Sequence, residues 1–327
     1  MQKRNVLVTA IGSFSADVVI TTLQEHNYKI IGTNIYPMPW IANAMIVDNF
    51  YQVPMANEEK EYIRAIVDIC RQEHIDYIFP LTDVEIDVFN RYRQLFLDIG
   101  VVLCFSPYAT ILTCRDKRKT SEILKQKLPE VQIILEYKEE EIECGSIKFP
   151  IICKKINGRS SQGLKKIYNM EEFFFFAKNN NLSEYIIQQF VEGDILTVDV
   201  VRDPKNDRCV AIPRKELLRT LNGAGTSVYV YRDLELEKLC KKIAKVLDIH
   251  GCVNFEFIES KEKGEKFFLE CNPRFSGGVK FTCMSGYDCI MNHLCCFQGK
   301  EIDDKTKVIT QYIARKYEEY ITCVENK

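Results

Sequence analysis

The chain has 327 residues, 46% of them hydrophobic, with 44 basic against 46 acidic side chains. That length predicts about two domains, and the composition is that of a packed globular protein. The near balance of charge excludes a global basic field for nucleic acid, and no apolar stretch approaches the ~20 residues of a membrane span.

The opening MQKRNVLVTAIGSFSADVV turns polar too soon for a signal peptide. NVLVTAIG (5–12) reads as a buried strand, SADVVITTLQEHN (15–27) as a helix and YKIIGTNI (28–35) as a second strand. Asn57 is placed to cap a helix over EEKEYIRAIVDICRQEH, in which Ile63, Ile66, Val67 and Cys70 form one stripe. DYIFPLTD (76–83), EIDVFNRYRQLFLDIG and VVLCFS (101–106) follow as strand, helix and strand. This alternation predicts an α/β unit with a doubly wound parallel sheet. Its first turn, Gly12-Ser13-Phe14-Ser15, lacks the three spaced glycines of a dinucleotide fingerprint, so no bound NAD is expected. Thr82, Asp83 and Glu85 stand at a strand end, where they would serve either a ligand or a helix N-cap.

From Ser121 the character changes. LEYKEEEIECGSIK (135–148) is charged and aperiodic, and FPIICKK, a glycine–serine loop, LKKIYN, a helix from about Met170 and EYIIQQFVEGD then read as a small α+β lid. ILTVDVVRD and CVAIPRKELL read as antiparallel strands. DLELEKLCKKIAKVLD (233–248) is an amphipathic helix with Leu236, Leu239, Cys240, Ile243 and Leu247 on one side. The 14 cysteines contain no Cys-x-x-Cys pair, and Cys283, Cys289, Cys295 and Cys296 match no zinc spacing. Reduced, mostly buried thiols in a cytoplasmic protein are therefore expected.

CVNFEFIE (252–259) and KFFLECN (266–272) flank SKEKGE, whose glycine suits a hairpin turn. A hairpin symmetric about Lys263 sets Glu256 opposite Glu270 and Asn254 opposite Asn272, all on one face. Val253, Phe255, Phe257, Phe267, Leu269 and Cys271 then form the core face. Directly opposed carboxylates destabilise a sheet by up to ~1 kcal/mol, so a cation between them is expected. Oxygen-only ligands point to Mg²⁺, with Mn²⁺ as an acceptable substitute. The competing reading pairs one acid with Arg274 or a lysine. Arg274, after a turn-fixing proline, could hold a phosphate or carboxylate bidentately, or simply salt-bridge Glu256 or Glu270. In KKINGRSSQG (154–163), Gly158, Ser160, Ser161 and Gly163 form either a phosphate-wrapping loop or a plain turn. Lys154 ends an apolar strand, and Lys117 either supplies a second cation or belongs to a charged helix face. A metal, two lysines and such a loop would match the charge of a triphosphate.

In their order along the chain these motifs resemble the ATP-grasp superfamily, in the branch similar to one grasp module of the carbamoyl-phosphate synthase large subunit. The strongest marker is LECNPRFSGG; the Asp116-Lys117 pair, the Lys154 strand and loop, IIQQFVEGD and GCVNFEF add to it. The resemblance implies a doubly wound pre-ATP-grasp domain over 1–112, a lid over 113–190 and an antiparallel-sheet catalytic core over 191–327. It implies that Lys117 and Lys154 contact ATP phosphates and the adenine edge, and that the 158–163 loop closes over the phosphates. Gln188, Gln189, Phe190 and Val191 would form the adenine-reading hinge. Glu256, Glu270 and Asn272 would hold Mg²⁺, Arg274 with Arg214 would steady the phosphoryl group, and GAGT (223–226) would be a mobile loop. The family usually has proline where Lys155 stands, glutamate at Gln188 and a ribose-binding acid at Ile195. Asp194 and Glu192 are the candidate replacements for that acid.

The function implied is an ATP- and Mg²⁺-dependent carboxylate–amine ligase working through an acyl phosphate. The alternatives are phosphorylation of bicarbonate or carbamate, and a nucleotide-binding module without turnover. The partners implied are a small-molecule carboxylate and an amine, with neither nucleic acid nor membrane, and a homodimer by analogy. Candidates to line the substrate pocket are the 12–15 loop, Asn34, Tyr36, Asp83, Glu85, Arg219 and Ser276.

Overall fold

The computed structural model describes residues 3–143, 145, 147–158, 163–221 and 223–324. In chain order the first elements are β1 (Asn5–Val8), α1 (Ala16–Glu25), β2 (Lys29–Asn34), β3 (Asn49–Gln52), α2 (Glu59–Gln72), β4 (Tyr77–Phe79), α3 (Asp83–Arg91), α4 (Arg93–Asp98), β5 (Val102–Leu103) and α5 (Tyr108–Arg115). Then come α6 (Lys117–Lys127), β6 (Gln132–Ile133), α7 (Glu139–Glu143), β7 (Ile151–Lys155), β8 (Lys165–Ile167), α8 (Met170–Asn179) and β9 (Tyr185–Gln189). The rest are β10 (Gly193–Asp203), β11 (Arg208–Arg219), β12 (Gly225–Val230), α9 (Leu234–Val246), β13 (Gly251–Ser260), β14 (Lys266–Asn272), α10 (Val279–Met284), α11 (Cys289–Gln298) and β15 (Gln311–Ala314).

Three sheets result. A five-stranded parallel sheet runs β3-β2-β1-β4-β5, a seven-stranded sheet runs β15-β12-β11-β10-β13-β14-β6, and a three-stranded lid sheet runs β8-β7-β9. The parallel sheet, the lid and the mainly antiparallel sheet are the layers expected from the pattern of strands and helices. β6 falls between the parallel sheet and the lid in sequence, yet it pairs with β14 and extends the seven-stranded sheet.

Alternation along β10 splits that sheet into two faces. Leu196, Val198 and Val200 face one way and pack with Leu236, Cys240, Ile243 and Ala244 of α9. Val201, with Ile212, Val228 and Val230 from neighbouring strands, faces the other way. It joins a core that includes Val6 and Val8 of the parallel sheet and Ile290 and Leu294 of α11. One apolar core thus ties the parallel sheet to the seven-stranded sheet. His293 is buried at this junction: its Nδ1 accepts from Cys252 N at 2.8 Å and its Nε2 donates to Cys104 O at 3.0 Å. Gly251 makes this fit, because its φ is +76° and a Cβ there would lie 2.6 Å from His293 Nδ1.

Several local expectations change. Asn57 does not cap α2, which starts at Glu59 after Glu58 and has no side-chain cap. The single helix expected after Asp83 is broken at Tyr92 into α3 and α4. The break sets Arg93 over the Phe105 ring at 4.2 Å and beside Asn90 Oδ1 at 2.7 Å. β5 keeps only two residues of the expected strand. In the β13–β14 hairpin, the symmetric register holds from Asn254↔Asn272 to Glu256↔Glu270, and then a bulge moves Phe257 opposite Phe268. Phe268, 3% exposed, therefore takes the core place assigned to Phe267 and Leu269.

Candidate active site

Two polar rows cross the seven-stranded sheet. Register aligns Glu270, Glu256, Thr197 and Arg214 across β14, β13, β10 and β11. One step along, it aligns Asn272, Asn254 and Asp199. Residues directly opposed in a sheet share a face. All of these residues except Asp199 line a cavity of about 610 Å³, which Gly12–Ser15, Thr82, Asp83 and the Arg274–Gly278 turn also line. Of the expected substrate-pocket residues, the 12–15 loop, Asp83, Arg219 and Ser276 line this cavity. Asn34, Tyr36 and Glu85 do not: Glu85 is buried behind the helix terminus, accepting from Tyr62 Oη at 3.0 Å and Thr82 Oγ1 at 2.6 Å. Asn34 accepts from the Tyr36 backbone N–H at 3.1 Å.

The two hairpin acids carry different partners. Lys117 Nζ reaches Glu270 Oε2 at 3.1 Å and donates to Gly158 O at 2.6 Å. Arg219 Nη2 lies 3.4 Å from Glu256 Oε2, and Asn272 donates to Glu270 Oε1 at 3.2 Å. Burial and the facing Glu270 push the Glu256 carboxyl up. Burial would raise Glu270 too, but Lys117 holds it below the usual carboxylate range. No single cation among the described residues pairs with both acids. Among the described residues no group of three or more His, Cys, Asp or Glu converges, so the available donor set is two carboxylates and an amide. That all-oxygen set, with Glu256 pushed up even though Arg219 is near, fits a hard divalent ion such as Mg²⁺.

Lys154, in the lid strand β7, is half-buried, and its loss of solvation pulls the ammonium down to about 8 against the attraction of Glu270. Gly163 has φ +73° and packs on the Lys155 side chain; Ser160 and Ser161 lie outside the described residues. Gln188 and Gln189 end β9, and Gln188 is buried. Phe190 follows with the Lys166 ammonium 3.5 Å from its ring centre, and Val191 leads into β10. Asp194 pairs with Lys215 at 2.6 Å, and Glu192 with Lys261 at 3.4 Å.

Arg274 pairs with neither hairpin acid. Its Nη2 meets Asp83 Oδ2 at 2.9 Å, while Arg115 Nη1 holds Asp83 Oδ1 at 2.6 Å. Burial would raise Asp83, but these two guanidiniums hold it well below the carboxylate range. Thr82 is the N-cap of α3, so this strand end serves both as cap and as cavity wall. Arg214 is 1% exposed, bonded to Asp199 at 2.5 Å, Glu216 and Thr282 at 3.2 Å and Ser276 at 3.0 Å. Thr197, Asp199 and Glu216 were absent from the expected site. The polar residues alternating in ILTVDVV were the available signal for the first two.

A family model described as "ATP-grasp in the biosynthetic pathway with Ter operon" matches residues 181–320, and one for the "PylC-like, N-terminal domain" matches residues 6–104. The carbamoyl phosphate synthase large chain of Methanobrevibacter smithii is 24% identical over 80% of this chain and 26% of its own length. This chain therefore spans about a quarter of that relative. A D-alanine–D-alanine ligase of Aquifex aeolicus is 31% identical over 38% of this chain and 46% of its own. The fold matches a biotin carboxylase of Campylobacter jejuni solved as a β,γ-ATP complex, with TM-score 0.78 and 16% identity over 94% of this chain and 74% of that one. It also matches N5-carboxyaminoimidazole synthetase of Staphylococcus aureus with ADP, with TM-score 0.73 and 14% identity over 94% and 81% of the two chains. The ATP-grasp match covers the strands that bear both polar rows, the PylC-like match covers the parallel sheet that lines the cavity, and the chain is similar over most of its length to ATP-grasp ligases of the carbamoyl-phosphate-synthase kind.

Proposed function

We propose that this protein is an ATP- and Mg²⁺-dependent carboxylate–amine ligase. The observation that carries the reading is Glu256 facing Glu270 beside Asn272, on the wall of a cavity that Arg274 also lines. A carboxylate oxygen of one substrate attacks the γ-phosphorus of ATP, giving an acyl phosphate and ADP. The nitrogen of the amine substrate then attacks the acyl carbon, and phosphate leaves as the amide forms.

The residues divide this work by charge. Lys117 and Lys154 draw the phosphates toward the lid loop that includes Gly158 and Gly163. Gln188 to Val191, with Asp194, border the nucleotide. Glu256, Glu270 and Asn272 would hold the magnesium, which neutralises phosphate charge when bound. Arg274 faces the transferred phosphoryl group, and Arg214 braces the sheet beneath it. Closing the lid keeps water from the acyl phosphate. The free thiols, nearly all buried or half-buried, support a reducing, cytoplasmic setting.

The test is phosphate release from ATP on a panel of carboxylates and amines, each alone and in pairs, with product mass determined. Release that needs both partners is the expected result. Release stimulated by bicarbonate alone would move the reading to the chemistry named in the synthase relatives. Tight ATP binding without turnover on the whole panel would make the chain a nucleotide-binding module.

A further inference from the structure

β11 places Arg214 and Glu216 on one face, two residues apart. The Arg214 guanidinium lies between Asp199 and Glu216, and all three side chains are at most 3% exposed. One positive charge thus sits among two negative ones. Asp199 uses both oxygens: Oδ2 accepts from Arg214 and from Thr282 at 2.7 Å, and Oδ1 accepts from Asn254 at 3.5 Å. Glu216 uses only Oε1, on Arg214 Nε at 3.2 Å. Its Oε2 is buried with no hydrogen-bond partner. Glu216 lines the cavity, and this oxygen is the one its carboxylate leaves without a donor.

The nearby cations make their hydrogen bonds elsewhere, although Arg315 attracts Glu216 and leaves its own Nε without a partner. Arg219 serves Glu256 and Gly223 O, and Arg315 donates to Gly277 O at 2.7 Å and lies over the Phe14 ring. Gly225 packs against the open oxygen, and a Cβ there would stand 2.0 Å from Oε2. Only glycine lets the start of β12 close over the carboxylate without pushing it aside, so an incoming group reaches Oε2 only when that strand end moves. A buried carboxylate oxygen without a donor is costly unless a group with N–H donors reaches it.

We propose that Glu216 is the subsite for the amine substrate, which enters as a primary alkylammonium and places its nitrogen on Oε2. This rests on the ligase reading and narrows it: the amine binds as its cation, selected against neutral amides and anionic nucleophiles by the charge of Glu216, gives one proton to Oε2 to free the lone pair that attacks the acyl carbon, and loses a second to the departing phosphate as the amide forms.

Ethylammonium chloride is the probe, read by saturation-transfer NMR on the full chain without nucleotide. Wild type should bind it, and Glu216→Gln, which keeps an oxygen for Arg214, should bind at least tenfold more weakly. Gly225→Ala, which displaces the carboxylate, should show the same loss. Tetramethylammonium, without N–H donors, should bind more weakly than ethylammonium. Glu235→Gln, on the surface of α9, should bind as wild type does. Thermal midpoints verify folding; should Glu216→Gln not fold, Glu216→Asp, which withdraws the carboxylate by one methylene, replaces it. No binding by wild type, equal binding by wild type and the folded Glu216 variant, or displacement of the probe by magnesium chloride overturns the proposal. The ligase reading stands or falls separately, on phosphate release. A ligase whose Michaelis constant for the amine is unchanged in Glu216→Gln also overturns this subsite while leaving the reaction intact.

Discussion

Asp83 and Arg274 meet at 2.9 Å, one from the end of the parallel sheet and the other from the turn after the carboxylate hairpin. Asp83 is also held by Arg115, two residues before Lys117, which reaches Glu270. The α5–α6 junction thus touches Glu270 directly and reaches Arg274 through Asp83. Asp83→Asn keeps the shape and removes the charge that aims Arg274. On the ligase reading kcat should fall by about 10²-fold, the scale of a small misplacement, with the Michaelis constant for ATP within about twofold of wild type. Steady-state kinetics check this, and a change confined to the ATP constant would contradict it.

The carboxylate pair predicts opposite effects on stability and activity. Glu256→Gln removes the repulsion with Glu270, worth up to ~1 kcal/mol. The metal-free protein should melt a few degrees higher, about 2 °C for a chain of this size. ADP formation should be lost in this variant and in Glu270→Gln. Calorimetry with a chelator, beside an ADP assay, separates the two effects.

Burial draws the Lys154 ammonium down to about 8. The charged form, which attracts phosphate, prevails below that pH and is lost above it. The dissociation constant for ATP should therefore rise above about pH 8, by as much as about tenfold per pH unit. Lys154→Arg keeps its charge and should flatten the profile. Titrations with a fluorescent ATP analogue from about pH 7 to 9 provide the check.

His293 predicts a second pH effect, on stability. Burial pulls its imidazole down to about 3 in the folded chain, whereas an unfolded histidine titrates near about 6.5. Between those values the unfolded chain binds the extra proton. The contribution is fully present above about pH 6.5 and is lost as pH falls toward 3, by up to about 1.4 kcal/mol per unit. The aromatic rings of Phe79, Phe275 and Phe297 surround the imidazole, so no charge compensates it. His293→Gln should be less stable near neutral pH and show a shallower fall in urea midpoint between about pH 6.5 and 5.

The strand–helix alternation, the amphipathic helix over α9, the carboxylate hairpin and its Glu256–Glu270 register were all legible in the sequence. Each depends on local periodicity or on a single tight turn, and those interactions span few residues. The bulge after Glu256 was not legible, because the same alternation admits Phe267 or Phe268 on the core face and only packing against Phe255 and Phe257 selects Phe268. Nor were the partners of Arg274 and Arg214 legible. A guanidinium reaches whichever carboxylate the fold brings near: Asp83 comes to Arg274 from the start of α3, far away in the chain, and Asp199 comes to Arg214 from the neighbouring strand β10. The open oxygen of Glu216 is a matter of tertiary structure alone: a side chain's unmet charge depends on every neighbour around it, and those neighbours are set only once the sheets have packed.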